Sequence, residues 1–437
     1  MISHAESRLS KLLAIYYILL LAIMVSWVNP VNSPPFLARM LFLGAIVFPA
    51  WHFTRSLVPI LFAFHSIATY SFAATYMPRD IYVYGIVLII LFVMEPKRLP
   101  ATHNRIKFPS KLFLWFAIYM VMVDVVFDSY LNPFTYLCFV VLCLCFYTIH
   151  RDDSDPTTAF SLMFVIASII LSVYYYFGRT LYTESVGGSE SGMEGMAWTD
   201  SNYFAMIVGM GMVAAIVELS RRQTLNLFIR ILYVVSICCS LFVLGTAGSR
   251  GAILSMTGML SIYMLFSKVK LRYKLIGSIF GLAILYYLYV GNYFELLLYK
   301  ITNDETLTSG RTDIWYTKLN LFFRESNVLG LLFGIGYKNG KELGRLELGD
   351  SFMFHNDYVA CLVKYGFVGL LFFLVIICKP LRLINRKDRD RPLLLSCIVY
   401  LMLCCVSLEP FTGGYFQYYV FYMYIYLLAY KSKNKIA

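Results

Sequence analysis

Several stretches of 17 or more residues, Pro410 to Tyr430 among them, carry no Lys, Arg, Asp or Glu. That pattern constrains the chain more than any other, because about 18 or more apolar residues in a row are what a helix needs to cross the hydrocarbon core of a bilayer. Composition agrees with it. Charged residues make up 14% of the chain where about 25% is usual in soluble domains, and apolar residues 59% where roughly 45 to 50% is usual. Phe and Tyr, at 35 each, suit both packed spans and interfacial belts. Disorder and a secreted disulfide scaffold are excluded.

The apolar pattern predicts spans at about 11-28, 36-51, 55-76, 80-94, 111-127, 131-149, 157-178, 202-219, 227-246, 250-267, 274-292, 356-378, 392-408 and 412-430. The expected fold is therefore an all-α polytopic membrane protein of about 12-14 transmembrane helices with one large outer loop. The tight boundary at His52, Phe53 and Thr54 leaves open whether 36-51 and 55-76 both cross or form a re-entrant pair. By organisation, 1-201 holds the N-terminal helices with an outer loop at 179-201, and 202-292 holds further helices. A large outer loop fills 293-355, and 356-437 holds the C-terminal helices and tail.

A net charge of +12 would suggest nucleic acid in a soluble chain, but the positions of the basic residues argue otherwise. Arg8 and Lys11, Lys97 to Lys111, Arg221 and Arg222, Lys268 to Lys274, Lys379 to Arg391 and Lys431 to Lys435 all fall on one side if the N-terminus is cytoplasmic. Such enrichment is the positive-inside signal. It places both termini in the cytoplasm, names anionic lipid headgroups as the ordinary partner, and leaves no reason to expect nucleic acid. All ten cysteines lie inside predicted spans with no C-x-x-C pair, so neither disulfides nor a thiolate metal site is expected. Leu12 to Val28 lacks a small-residue cleavage site and should remain as the first span.

Only the outer segments 179-201 and 293-355 are long enough to carry chemistry. In the second, Asp313 to Phe323 repeats its apolar positions at helical spacing and predicts a short helix along the membrane surface. Histidine exchanges protons near neutral pH, and of the six here only His355 faces outward, at the end of this loop. A boundary histidine is ordinarily just an interfacial polar residue. Arg250, in Gly248-Ser249-Arg250-Gly251, opens span 250-267 among small residues. There it serves either as a headgroup-level anchor or as a phosphate-binding fork. Arg311 stands just before the surface helix, where a salt bridge to Asp313 or Glu305 is the plain alternative.

In this order these pieces resemble the O-antigen ligase and O-antigen polymerase superfamily of bacterial envelope glycan assembly. Ser249-Arg250-Gly251-Ala252-Ile253-Leu254 is similar to the family's Arg-x-x-x-Leu element. Gly310-Arg311-Thr312-Asp313-Ile314-Trp315, followed by Val328-Leu329-Gly330 and Gly334-Ile335-Gly336, is similar to its large periplasmic loop. His355-Asn356, nine further residues and then Gly366-Phe367-Val368-Gly369 fit its ligase pattern. The resemblance covers about 245 to 378, and Asp200-Ser201-Asn202 more loosely.

What the resemblance implies is a membrane glycosyltransferase of GT-C-like architecture in the bacterial inner membrane, metal-independent and inverting, with no cofactor. It would take a glycan from undecaprenyl pyrophosphate at the periplasmic face. The acceptor would be lipid A-core for a ligase or a carrier-linked glycan for a polymerase, and the sequence does not separate the two. The residue types suit that chemistry. Arg250 and Arg311 offer guanidinium groups to a pyrophosphate leaving group. His355 offers a base for the acceptor hydroxyl, with Asn356 or Asp350 to orient it. Trp198, Asp200 and Asn202 are candidates for the acceptor side, or plain solvated loop residues.

Other polar features have simpler readings. Asp153-Ser154-Asp155 has a metal-binding D-x-D pattern but lies in a predicted cytoplasmic turn. Asp124 and Lys364 fall within predicted spans, where ionisable groups need a partner, and a structural pair between them is the expectation. Lys364 is nine residues after His355, about half a helical rotation away, so it should not reach the same reacting atoms. Gly366 and Gly369 suggest close backbone approach or a kink. Protein O-glycosylation is a third acceptor choice. A transporter or lipid flippase is the rival from another class, although no internal repeat or mid-membrane polar pathway supports it.

Overall fold

The computed structural model describes residues 2–27, 34–54, 58–73, 109–128, 130–131, 133–147, 156–182, 201–221, 226–247, 249–268, 311–348, 353–386 and 388–434, with isolated positions at 83, 85 and 86 and between 270 and 291. All regular structure among the described residues is helical. In chain order the helices are α1 (Ile2–Ser26), α2 (Phe36–Thr54), α3 (Val58–Ala73), α4 (Ser110–Phe127), α5 (Pro133–Tyr147), α6 (Pro156–Tyr182), α7 (Ser201–Arg221), α8 (Leu227–Thr246) and α9 (Arg250–Phe266). There follow α10 (Arg311–Glu325), α11 (Val328–Phe333), α12 (Tyr337–Glu342), α13 (Arg345–Leu348), α14 (Asp357–Cys378), α15 (Arg391–Ser407) and α16 (Phe416–Asn434).

Four described helical segments are long and apolar enough to cross a membrane: Thr157–Phe177, Asn202–Arg221, Leu227–Thr246 and Asp357–Leu383. They coincide with four of the spans read from the sequence, and the chain is a multi-pass membrane protein. The expected segment 80-94 lies almost wholly outside the described residues, as do most of the loop 179-201 and the Asp153-Ser154-Asp155 turn. The helix expected from the apolar repeat of Asp313 to Phe323 is present as α10, two residues longer at each end.

The chain forms two compact units. The first comprises Met1–Phe108, Leu144–Ile253 and Lys270–Leu297. Its helices are cross-linked by small hydroxyls: Ser168 meets Ser236 at 2.5 Å and Ser240 donates to the Val208 carbonyl at 3.0 Å. Gly211 lets α6 and α7 close up, since a Cβ there would stand 2.3 Å from that of Ser168. Without a hydrophobic force between helices in lipid, such small contacts are what holds spans together. The second unit comprises Pro109–Cys143, Leu254–Val269 and Leu298–Ala437. Its core is aromatic, with Tyr419 edge-on to Phe139 at 4.8 Å and beside Phe411 at 4.9 Å.

Candidate active site

Within the second unit, the turn that links α15 to α16 folds back over the start of α14. Asp357, the first residue of α14, donates its amide to the Leu408 carbonyl at 3.0 Å. Its buried carboxylate accepts from the amides of Phe411 and Thr412, at 3.0 and 2.8 Å, and from the Thr412 hydroxyl at 2.7 Å. Asn356 caps α14: its side-chain oxygen accepts from the amides of Tyr358 and Val359, at 2.9 and 3.1 Å. That use of an N-cap asparagine satisfies donors the helix itself leaves unpaired. It also commits the Asn356 oxygen to backbone.

His355 stands between this cap and Phe354 with φ at 49°, a left-handed backbone that costs a non-glycine residue on the order of 1–3 kcal/mol. Its neighbours enforce it on both sides. The His355 amide donates to Oε1 of Glu409 at 2.9 Å. The Phe354 carbonyl accepts from the Trp315 indole of α10, and the Phe354 ring is buried with Lys318 Nζ 4.4 Å and Lys364 Nζ 5.4 Å from its centroid. Strain held by its surroundings in this way is characteristic of sites where a side chain must be aimed.

Glu409 is the residue that joins these parts. It is fully buried, and its second oxygen pairs with Lys364 Nζ at 2.7 Å. Burial by itself would raise its pKa, but the Lys364 charge and hydrogen bond, with a contribution from His355, bring it below the ordinary value. The expected pairing of Lys364 with Asp124 is therefore corrected: the lysine pairs with Glu409, while Asp124 accepts from the Tyr337 amide at 2.8 Å and from the Tyr136 hydroxyl. Through Glu409, Lys364 is also one carboxylate away from the His355 backbone, closer than its helical phase suggested. Lys318, on α10, donates to the carbonyls of Gly340 and Lys341 at 3.2 and 2.8 Å, and burial lowers its pKa to about 8.

Arg311 belongs to the same assembly. It opens α10 half-buried and donates Nη1 to the Ser407 carbonyl at 2.8 Å, at the end of α15 and next to the turn that carries Glu409. Arg311 and His355 are thus tied to one six-residue stretch, Ser407 to Thr412. The first unit holds the other arginine. Arg250 is the first residue of α9, and the preceding Ser249 hydroxyl accepts from the Ala252 amide at 3.2 Å and donates to Asn202 Oδ1 at 2.8 Å. Asn202 thus fixes the turn that presents Arg250. Trp198, Asp200 and Asp350 lie outside the described residues.

Sequence reasoning missed Glu409, Asp357 and Lys318. A signal for the first was present: Glu409 is a lone carboxylate, followed by Pro410 and by Gly413-Gly414, between two long apolar helices. An acid there needs a partner or a task.

Compared with known proteins, residues 234–374 match the family described as O-antigen ligase. That segment contains Arg250, Arg311, His355 and Lys364 and stops short of Glu409. The match supports the resemblance of this segment to the O-antigen ligase and polymerase superfamily. No curated protein matches the chain.

Proposed function

We propose, from the premise that residues 234–374 belong to the O-antigen ligase and polymerase superfamily, that this protein is an inner-membrane glycosyltransferase. It moves a glycan from undecaprenyl pyrophosphate to an acceptor hydroxyl at the periplasmic face. The observation that carries the reading is the construction around His355: a histidine forced into a left-handed turn by a buried carboxylate, inside the matched segment. A core histidine would need no such clamp.

In the proposed reaction the His355 imidazole takes the proton of the acceptor hydroxyl as it attacks the anomeric carbon. A positioned general base typically contributes about 10² to 10⁴ in rate. The departing pyrophosphate gathers negative charge, for which the sequence motifs offer the guanidinium groups of Arg311 and Arg250 as candidates. One such donor is worth on the order of 10² to 10³. Arg311 suits this because it lies half-buried beside the turn that carries Glu409. Glu409 and Lys364 act through His355 rather than on substrate. Trp198, Asp200, Asn202, Asn356 and Asp350 complete the proposed polar surroundings, with Asn202 and Asn356 acting on backbone and neighbouring side chains. Both termini are cytoplasmic in this reading. The family favours glycan transfer over transport, and the acceptor is either lipid A-core or a carrier-linked unit.

The test is transfer by purified protein in detergent with EDTA, from a defined undecaprenyl pyrophosphate glycan, with the two acceptors offered separately beside His355→Ala. Product on lipid A-core identifies a ligase, and a ladder of longer carrier-linked glycans a polymerase. A His355→Ala variant with near-normal product would overturn the base assignment.

A further inference from the structure

α14 is broken in its interior. Gly366 has φ 67° and ψ −172°, which no continuous helix accommodates, and the carbonyls of the turn before it lose their helical partners. At membrane depth such freed groups must be satisfied by protein. Here they are. The amide of Ile335 donates to the Val363 carbonyl at 3.2 Å, that of Gly336 to Lys364 at 2.9 Å, and the Tyr119 hydroxyl of α4 to Tyr365 at 2.7 Å. The stretch just after α11 is thus docked onto the break. The fit is backbone to backbone, since a Cβ on Gly366 would lie 2.4 Å from the Leu332 oxygen and one on Gly334 2.2 Å from the Lys364 oxygen.

The depth of this docking can be read from the helices it touches. Tyr119, which also donates to the Phe333 carbonyl at 3.2 Å, lies in the middle of the 18-residue α4, about 12 Å from its end at Phe127. Gly366 lies nine residues into the candidate span that starts at Asp357, about 13 Å along it. α11 therefore reaches halfway along two apolar helices instead of resting on their ends. Its outward face is apolar: Val328 is 71% and Leu329 56% exposed, with Leu332 and Phe333 beside them. The face continues onto α14 through Phe323 and Phe367, whose rings lie 6.4 Å apart, and onto the 62%-exposed Leu371.

We infer that α11 and the Gly334–Gly336 turn form a re-entrant element inserted into the outer leaflet, with lipid acyl chains against Val328, Leu329 and Leu332. Continuity with the exposed face of the α14 span selects lipid as the occupant. Were the element outside the bilayer, the exposed Met122, Val125 and Val126 of α4 would stand in water with it, a patch soluble surfaces avoid. The inserted turn bonds to the backbone of Lys364, the partner of Glu409, so the bilayer buttresses the support of His355. The inference rests on α14 being a membrane span and is independent of the transfer reaction.

The test uses the full chain in phosphatidylcholine vesicles, with Leu329→Trp and, as a second position, Val328→Trp. Emission from the five native tryptophans is subtracted using the parent protein. Insertion predicts about a twofold loss of the added emission when the acyl chains are brominated, and shielding from iodide in the water. Iodide quenching as strong as that of free tryptophan, with or without bromine quenching, would place α11 at the surface and overturn the inference. Loss of glycan transfer has no bearing on either outcome.

Discussion

Glu409 accepts from the His355 amide with one oxygen and from Lys364 with the other, so one side chain settles both a backbone strain and a buried charge. Removing one partner of a buried ion pair leaves the other uncompensated, which costs about 3–5 kcal/mol, whereas removing both is often tolerated. Glu409→Gln should therefore lower stability by about that amount, and the double variant Glu409→Gln with Lys364→Met should recover most of it in thermal unfolding. Failure of the second change to restore stability would mean that the carboxylate matters for something other than Lys364. His355 and Arg311 were legible in the sequence because a motif carries them. Glu409 was not, because 54 residues separate it from His355 and only the fold-back of the α15–α16 turn joins them. The Asp124–Lys364 expectation failed for the same reason: it matched two charges by their depth in spans, and a carboxylate from a turn reached the lysine first.

At the scale of elements, the sequence placed the helices well where apolar runs are long, as in α6, α7, α8 and α14, whose ends fall close to the predicted ones. Gly366 and Gly369 read as positions of close backbone approach or a kink, and Gly366 proves to face Gly334 across the break in α14. That partnership was hidden because hydropathy sees a span as unbroken. Gly334 has φ 88° and no room for a Cβ against the Lys364 carbonyl. Gly334→Ala combines left-handed strain with overpacking, each about 1–3 kcal/mol. The expected result is a sharply lowered melting temperature or no folded protein. A variant melting with the parent would show that the α11 docking is loose.

For the molecule as a whole, two buried groups outside the spans each make stability rise with pH, one at each end of the scale. Glu409 has a lowered pKa, so its stabilisation is complete above the unfolded carboxylate value and is lost as pH falls through the folded one. Lys318 has a pKa lowered by burial to about 8, with Glu409, Lys364, Glu342 and Lys341 facing it. Between that value and the ordinary lysine value the unfolded chain binds more protons, so the Lys318 contribution makes stability rise with pH. Lys318→Met should remove that rise, measured as the difference in melting temperature between parent and variant from pH 8 upward. Parallel curves would show that Lys318 is as freely ionised in the folded protein as in the unfolded chain. Composition and charge made the membrane class legible, yet such buried pairs depend on which turns fold back over which helix ends, and no pattern of spans records that.

A strained His355 whose imidazole is the proposed base makes two predictions for His355→Gly, one on stability and one on transfer. Glycine adopts φ 49° without penalty, so the variant should melt at or slightly above the parent, by up to about 1 kcal/mol. Its single-turnover glycan transfer should fall by about 10² or more. Transfer within a few-fold of the parent from a stable His355→Gly protein would contradict the account and return His355 to a structural turn.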